Sequence, residues 1–293
     1  MLSLTGLLLS IGCGIGYAAT DYFRKAVPAA CPPMVLLFYF VSGQIPILAA
    51  WLIVSGEWRM TGAYWAPGVI DLALGIIGNF LFVIAVRKSP LSLMIPLLAL
   101  VPVFTAVTGA VALDEQLTAR QLMGTGVVAV GILVLNMPGG GGLSIVSAWR
   151  ALVREPGTLA MVGTALAWSL TPVFDKICVA ASSVPVHGLV QVTLFCAFTG
   201  LWVAARSGPA SLKAPPGSAA PLAGGALAAG LAYGLQLAAY TVAFVALVEL
   251  IKRTTGLLSA LIVGRLKFAE PITAAKVLGI ALIAVGLPFV ILN

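Results

Sequence analysis

The sequence predicts an all-α integral membrane protein with ten transmembrane helices, arranged as two inverted five-helix repeats. Of its 293 residues, 61% are hydrophobic and only 9% are charged, whereas soluble globular chains have about 25% charged residues. Its apolar runs also reach the length of roughly 20 residues that a helix needs to cross a bilayer. The third observation is an internal repeat that divides the chain near its middle.

The apolar runs give ten predicted spans, numbered here in chain order. Most of the connections are short, so successive spans are expected to be antiparallel neighbours. Span 9 is the least regular, because Lys252, Arg253, Arg265 and Lys267 surround its uncharged core. The ten spans cover residues 4–23, 33–54, 65–86, 90–112, 118–136, 158–179, 186–205, 221–248, 252–269 and 271–292.

Two segments of the first half recur in the second half. Residues 17–25, at the end of span 1, align with residues 168–176, at the end of span 6. The second match begins at Glu115 and Glu270, which precede the last span of each half. The first match pairs Thr20 with Thr171, Phe23 with Phe174, Lys25 with Lys176 and the aromatic Tyr17 with Trp168; the second also pairs Thr118 with Thr273, Ala119 with Ala274, Gly124 with Gly279, Ala129 with Ala284, Val130 with Val285 and Gly131 with Gly286.

The repeat sets the predicted domain organisation. Residues 1–137 form the first five-helix repeat, residues 138–157 a Gly-rich connector, and residues 158–293 the second repeat. Because five is odd, the second repeat must enter the membrane in the opposite orientation. Inverted repeats of this kind build transporters whose binding site lies near the bilayer midplane. A duplication that serves only the scaffold is the alternative.

The paired motifs resemble those of the drug/metabolite transporter superfamily, in its EamA-like ten-helix branch. One motif is aromatic–x–x–Thr–x–x–Phe–x–Lys at the end of spans 1 and 6, and the other runs from Glu115 to Gly124 and from Glu270 to Gly279. This resemblance implies secondary transport of metabolites, often export, in the bacterial inner membrane. It also implies a central cavity lined by spans 1, 3, 4, 6, 8 and 9, with spans 5 and 10 packed to one side.

Ionisable residues inside a bilayer are costly, so each one is a candidate for function. Glu249, Lys252 and Arg253 have the i, i+3, i+4 spacing of one helix face, which fits either a cationic patch for a carboxylate or phosphate or an ordinary ion pair at the membrane surface. Lys25 and Lys176 are candidate gating residues or lysines that extend to the interface. Asp71 is a candidate partner for a substrate amine or a coupling proton, or is simply solvated.

Polar and aromatic residues complete the predicted substrate site. Tyr233, Gln236 and Tyr240 share one face of span 8, and Asn79 lies near the middle of span 3. The matched residues of spans 1 and 6 are also included. Hydrogen bonding between helices is the alternative role for these side chains. The predicted substrate-binding residues are therefore Tyr17, Thr20, Asn79, Trp168, Thr171, Tyr233, Gln236, Tyr240, Lys252 and Arg253, with Lys25, Asp71, Lys176 and Glu249 in coupling or gating.

The sequence gives little support for an enzyme. His187 is the only histidine, and no HExxH, GxSxG or P-loop motif occurs. We therefore predict no catalytic residues, no metal site and no cofactor. The predicted function is export of small metabolites such as amino acids by alternating access around a midplane cavity. The alternatives are efflux of drugs or other cationic compounds, a membrane enzyme and a passive channel.

The predicted partners are the lipid bilayer and a small substrate, preferably one that bears a carboxylate, with no role for nucleic acid despite the net charge of +7. The oligomeric state is left open between monomer and homodimer. Orientation is also open. Most Lys and Arg residues lie in loops on the side opposite the termini, so the positive-inside rule places both termini outside, whereas the family resemblance implies cytoplasmic termini.

Overall fold

The computed structural model describes residues 3–28, 30–89, 94–135, 155–268 and 273–291, and these residues contain helices and no β-strand. The α-helices are α1 (Leu4–Ala26), α2 (Pro33–Ser42), α3 (Gln44–Ser55), α4 (Trp65–Lys88), α5 (Leu100–Leu113), α6 (Ala119–Leu135), α7 (Thr158–Ala181), α8 (Val184–Ser207), α9 (Ala219–Val242), α10 (Val245–Phe268) and α11 (Ala274–Ile291). Short 3₁₀ helices cover Gly62–Tyr64, Ile95–Ala99 and Pro209–Leu212.

Six helical segments of this described part are long and apolar enough to cross a membrane, namely Leu4–Ala26, Pro33–Ser55, Gly62–Ala85, Val184–Ser207, Ala219–Val242 and Ala274–Ile291. Leu97–Leu113 and Ala119–Leu135 are shorter apolar helices. The all-α class is therefore confirmed, together with several membrane-spanning helices. Ten spans in inverted repeats remain a prediction. The Gly-rich start of the connector and Glu270 lie outside the described residues.

The predicted boundary between spans 8 and 9 was wrong. The chain leaves the helix at Ala243, whose backbone is extended, and α10 begins at Val245 rather than at residue 252. The Val245 amide donates a hydrogen bond of 2.8 Å to Oε2 of Glu115. A side chain from the first half of the sequence thus caps this helix, and no local N-cap residue marks its start. Glu249, Lys252 and Arg253 consequently lie inside a helix, not in a loop.

The helices pack mainly across the two halves of the chain. The first helix of the first half, α1, contacts α9 and α10, and its counterpart α7 contacts α4 and α5. Each therefore packs against the third and fourth spans of the opposite half. Helices α6 and α11 pack together, so the two halves share one core.

The glycines matched by the repeat lie where α6 crosses α11. A Cβ on Gly124 would lie 2.9 Å from the Gly286 carbonyl oxygen, and a Cβ on Gly131 would lie 3.0 Å from the Gly279 carbonyl oxygen. In the repeat, Gly124 matches Gly279 and Gly131 matches Gly286. The Gly131–Gly279 contact is therefore the counterpart of the Gly124–Gly286 contact. This reciprocity is expected of two helices related by a two-fold axis, and it explains why these positions carry glycine.

Hydrogen bonds join the loops at one end of the helices. Between the loop before α4 and the turn after α7, the Thr61 amide donates to the Ala181 carbonyl oxygen at 3.0 Å, and Arg59 Nε donates to the Ser182 carbonyl oxygen at 2.8 Å. Ser183 Oγ donates to the Glu57 carbonyl oxygen at 2.6 Å. We call the end formed by residues 56–61, 114–118, 182–183 and 243–244 the Glu115 face; contacts between the halves hold it together.

Candidate functional site

A cavity of about 240 Å³ lies between α1, α2, α3, α4, α7, α8 and α9. Ligand pockets for drug-sized molecules are typically about 300–1,000 Å³, so this cavity is smaller than most of them. The family resemblance implied that spans 4 and 9 line the cavity. Helices α2 and α3 (span 2) and α8 (span 7) line it instead. Its walls contain Tyr17, Leu37, Val41, Gln44, Asp71, Leu72, Gly75, Asn79, Trp168, Thr171, Asp175, Gln191, Val192, Phe195, Tyr233 and Gln236.

The structure places half of the predicted site residues at this cavity: Tyr17, Asp71, Asn79, Trp168, Thr171, Tyr233 and Gln236. Asn79 Nδ2 donates to the Gly75 carbonyl oxygen at 2.8 Å. The Trp168 ring stacks on Phe82 with ring centroids 5.5 Å apart. Gly78 permits this position, since a Cβ there would lie 2.6 Å from Trp168 Nε1.

Three buried ionisable side chains meet at one part of the cavity wall, and we call them the acid cluster: Asp71, Asp175 and His187. His187 Nε2 lies 2.8 Å from Asp175 Oδ1 and 3.8 Å from Asp71 Oδ2. Their relative exposures are 6%, 3% and 0%, respectively. The two carboxylates line the cavity, whereas the imidazole lies behind them.

Surrounding hydrogen bonds hold the acid cluster in place. Tyr64 Oη contacts His187 Nδ1 at 3.1 Å, and Tyr233 Oη donates to Asp175 Oδ1 at 3.4 Å. Gln191 Nε2 donates to the Gly68 carbonyl oxygen at 2.9 Å and lies 3.5 Å from Tyr64 Oη. One ligand atom from each cluster residue falls within 4.8 Å of the others, but both imidazole nitrogens already have partners, so we interpret the group as a hydrogen-bonded cluster.

The sequence interpretation did not select Asp175 or His187 for the site. Asp175 lies inside the first repeat motif, but its counterpart is Arg24, so the repeat gave it no support. His187 was set aside as a lone histidine near a loop. The two lie at the end of α7 and the start of α8, on either side of the turn at residues 182–183, which brings them together. An acidic residue within an apolar run was the available signal for Asp175.

A second buried polar group joins α9 to α10 behind the cavity wall. Tyr240 Oη donates to Glu249 Oε1 at 2.6 Å, and Lys252 Nζ donates to the same carboxylate and to Gln236 Oε1 at 2.9 Å. Arg253 Nε lies 3.7 Å from Glu249 Oε2. Glu249 is 1% exposed, so this ion pair is not at a solvated surface. Tyr240, Glu249, Lys252 and Arg253 are not among the residues that line the cavity. Tyr240 and Lys252 donate to the Glu249 carboxylate, whereas Arg253 Nε is buried without a hydrogen-bond partner among the described residues.

Three further predicted residues also lie away from the cavity. Thr20 is buried and donates to the Gly16 carbonyl oxygen at 2.9 Å, and Lys25 is exposed near the end of α1. Lys176 Nζ donates to Glu115 Oε1 at 2.6 Å and to the Ala243 carbonyl oxygen at 2.9 Å. Together with the Glu115–Val245 hydrogen bond, these contacts form the Glu115 bridge, which joins the two halves at the Glu115 face.

The apolar helices and their packing indicate a multi-pass membrane protein, and the helices enclose a cavity. Residues 4–137 match the EamA-like transporter family, which is part of the drug/metabolite transporter superfamily. The resemblance predicted from the motifs is thereby confirmed. Members of the family are transporters.

Two other proteins are similar to this chain. An uncharacterized protein of Methanocaldococcus jannaschii is 27% identical over 139 residues, which are 46% of this chain and 95% of that protein. A solved crystal structure of a protein aligns with a TM-score of 0.80 and 22% identity, covering 100% of this chain and 99% of the other. At that identity the likeness shows the fold alone.

Proposed function

We propose that this protein is a secondary transporter for small metabolites that carry an ammonium group, with amino acids as the best-fitting class. The observation that carries the proposal is the pair of buried carboxylates, Asp71 and Asp175, in the wall of a small cavity. Buried carboxylates need a cationic partner. Aromatic side chains beside them, such as Tyr17 and Trp168, also favour a cation.

Helix α9 supplies the reason for preferring a zwitterion. Tyr233 contacts Asp175, and Gln236, one helical turn further on, contacts Lys252. One turn is about 5 Å along the helix axis, so negative and positive charge lie a short distance apart along one wall. An amino acid matches this arrangement with its ammonium group towards Asp175 and its carboxylate towards Gln236, behind which Lys252 lies. The proposed substrate therefore keeps the carboxylate predicted from the sequence and also carries an ammonium group.

Alternating access between two inverted five-helix repeats is the proposed mechanism. The reciprocal glycine contacts of α6 and α11 support a two-fold relation between the halves, and the relative from M. jannaschii supports duplication because under half of this chain matches almost all of it. The Glu115 bridge would keep the cavity closed at the Glu115 face while the cavity opens at the opposite end of the helices. Export across a bacterial inner membrane is the direction and location implied by the family resemblance.

The test uses three solutes that share one hydrocarbon skeleton: L-leucine, isopentylamine and 4-methylpentanoate. In counterflow assays with proteoliposomes, we expect saturable uptake of leucine that isopentylamine inhibits and 4-methylpentanoate does not. Asp175→Asn should abolish uptake, whereas Asp114→Asn, at an exposed position, should leave it unchanged. Asp114 has a positive φ of 55°, a conformation that Asn accepts readily, so this control is matched in chemistry and backbone.

Efflux of cationic compounds is the second candidate, favoured by the acid cluster and the aromatic lining. Lys252→Gln separates the two functions: it should weaken leucine binding and spare isopentylamine if the substrate is zwitterionic. Equal binding of both solutes in wild type and variant would favour the cationic alternative. Inhibition by 4-methylpentanoate alone would refute the ammonium assignment. Flux without saturation or counterflow would indicate a channel, and chemical alteration of the solute would indicate an enzyme.

A further inference from the structure

The acid cluster has a charge that depends on how many protons it holds. With both carboxylates ionised and His187 protonated, the net charge is −1; with one further proton shared by the carboxylates, the cluster is neutral. The three residues are almost fully buried, and burying uncompensated charge costs several kcal/mol per ion in proteins. The neutral form, with two protons, is therefore the favoured state of the empty site.

We propose that the acid cluster is an exchangeable proton site, in which a substrate ammonium group displaces one proton from the Asp71–Asp175 pair. This inference rests on the proposed function and specifies its coupling ion. The exchange balances: one proton leaves through the cavity to solvent, one ammonium group takes its place, and the net charge of the site stays at zero. No covalent bond forms or breaks apart from the O–H bond of the departing proton.

The geometry assigns different roles to the three residues. Asp71 and Asp175 line the cavity, so an ammonium group can reach their oxygens. His187 is fully buried and contacts the pair from the protein side, at 2.8 Å from Asp175 and 3.8 Å from Asp71. His187 is thus a positioning residue, which holds Asp175 in place without lining the cavity.

The other ionisable groups around the cluster are few. Tyr64 precedes α4, Cys178 lies on α7, Tyr17 projects from α1 and Tyr233 from α9. From α10, Lys252 Nζ lies 5.5 Å from the centroid of the Tyr17 ring and pairs with Glu249. The cavity-lining residues of α2 and α3, Leu37, Val41 and Gln44, are not ionisable. The exchangeable proton is therefore assigned to the two aspartates.

The first experiment needs no variant. Isopentylamine is titrated into the wild-type protein by calorimetry at one pH, in buffers that differ in ionisation enthalpy. The dependence of the observed enthalpy on the buffer gives the number of protons released. We expect about one proton per ligand bound, and affinity that falls about tenfold per pH unit at acidic pH. Binding with no proton release would overturn the inference while leaving the proposed substrate class intact.

The second experiment assigns the proton to the cluster. His187→Gln removes the imidazole that contacts Asp175 Oδ1 at 2.8 Å, and losing a hydrogen bond to the ionised form makes the carboxylates hold their protons more tightly. The pH at which isopentylamine binding is half lost should rise by one unit or more, whereas Asp114→Asn should leave it unchanged. A variant that binds with an unmoved pH midpoint would show that His187 is only structural. If no amine binds to the wild-type protein, the proposed substrate class fails first, and this inference fails with it.

Discussion

Removal of the Lys176 ammonium group should open the Glu115 face. Lys176 Nζ makes a 2.6 Å ion pair with Glu115 and a 2.9 Å hydrogen bond to the Ala243 carbonyl oxygen, and its side chain is 28% exposed. Hydrogen bonds to charged groups contribute about 1.5–3 kcal/mol. If these contacts exist only when this face is closed, Lys176→Met should raise the population open at this face about 10- to 140-fold, since 1.4 kcal/mol is a factor of ten.

The assay is the rate at which an impermeant thiol reagent, supplied at the Glu115 face, labels a cysteine in the cavity. Thr171→Cys is the reporter, in a background from which Cys13, Cys31, Cys178 and Cys196 have been replaced. When opening and closing are fast, the labelling rate is proportional to the open population, as in exchange through local opening. This measure responds even when the open state is rare, so a shift of the expected size is detectable.

Two further variants decide the interpretation. Lys176→Arg keeps the charge and should restore most of the protection from labelling. Arg24→Met breaks an ion pair with Asp21 whose side chains are 54% and 57% exposed, and exposed pairs contribute at most about 1 kcal/mol, so labelling should stay near the reference rate. An unchanged rate in Lys176→Met, or an equal rise in Arg24→Met, would refute the assignment of Lys176 to closure of this face.

The packing of the helices gives two more expectations. Gly124→Ala should lower the melting temperature, because the added Cβ would lie 2.8 Å from Phe289 Cβ and overpacking costs about 1–3 kcal/mol. The control Gly126→Ala, on the same helix with open space at its Cβ, should be neutral or stabilising. Equal losses of stability in the two variants would contradict the close contact of α6 with α11. Gly78→Ala should weaken leucine binding severalfold in calorimetry, because the added Cβ displaces the Trp168 ring. Gly75→Ala, with its Cβ 3.8 Å from Phe195, should weaken leucine binding less. A larger loss of binding in Gly75→Ala than in Gly78→Ala would show that Trp168 does not shape the site.

The sequence by itself determined the features that depend on local pattern. Long apolar runs with few charges require a membrane, and the positions of the helices follow from where those runs begin and end. The face formed by Tyr233, Gln236 and Tyr240 followed from helical spacing, and each of these residues contacts a buried charged side chain. The matched motifs also indicated the family, because they can be recognised in the sequence without a structure.

Only the tertiary structure decided how the charges pair. The start of α10 depends on a hydrogen bond from the Val245 amide to Glu115, 130 residues earlier in the chain, and no local pattern can contain such a cap. The same holds for Lys252 and Arg253, whose proximity to Glu249 was visible in the sequence but whose burial was not. Asp71 meets Asp175 and His187 only because α4, α7 and α8 pack together. The sign of charge in a cavity depends on which ionisable groups neutralise one another across helices, so tertiary packing is the reason for proposing an ammonium group on the carboxylate-bearing substrate that the sequence predicted.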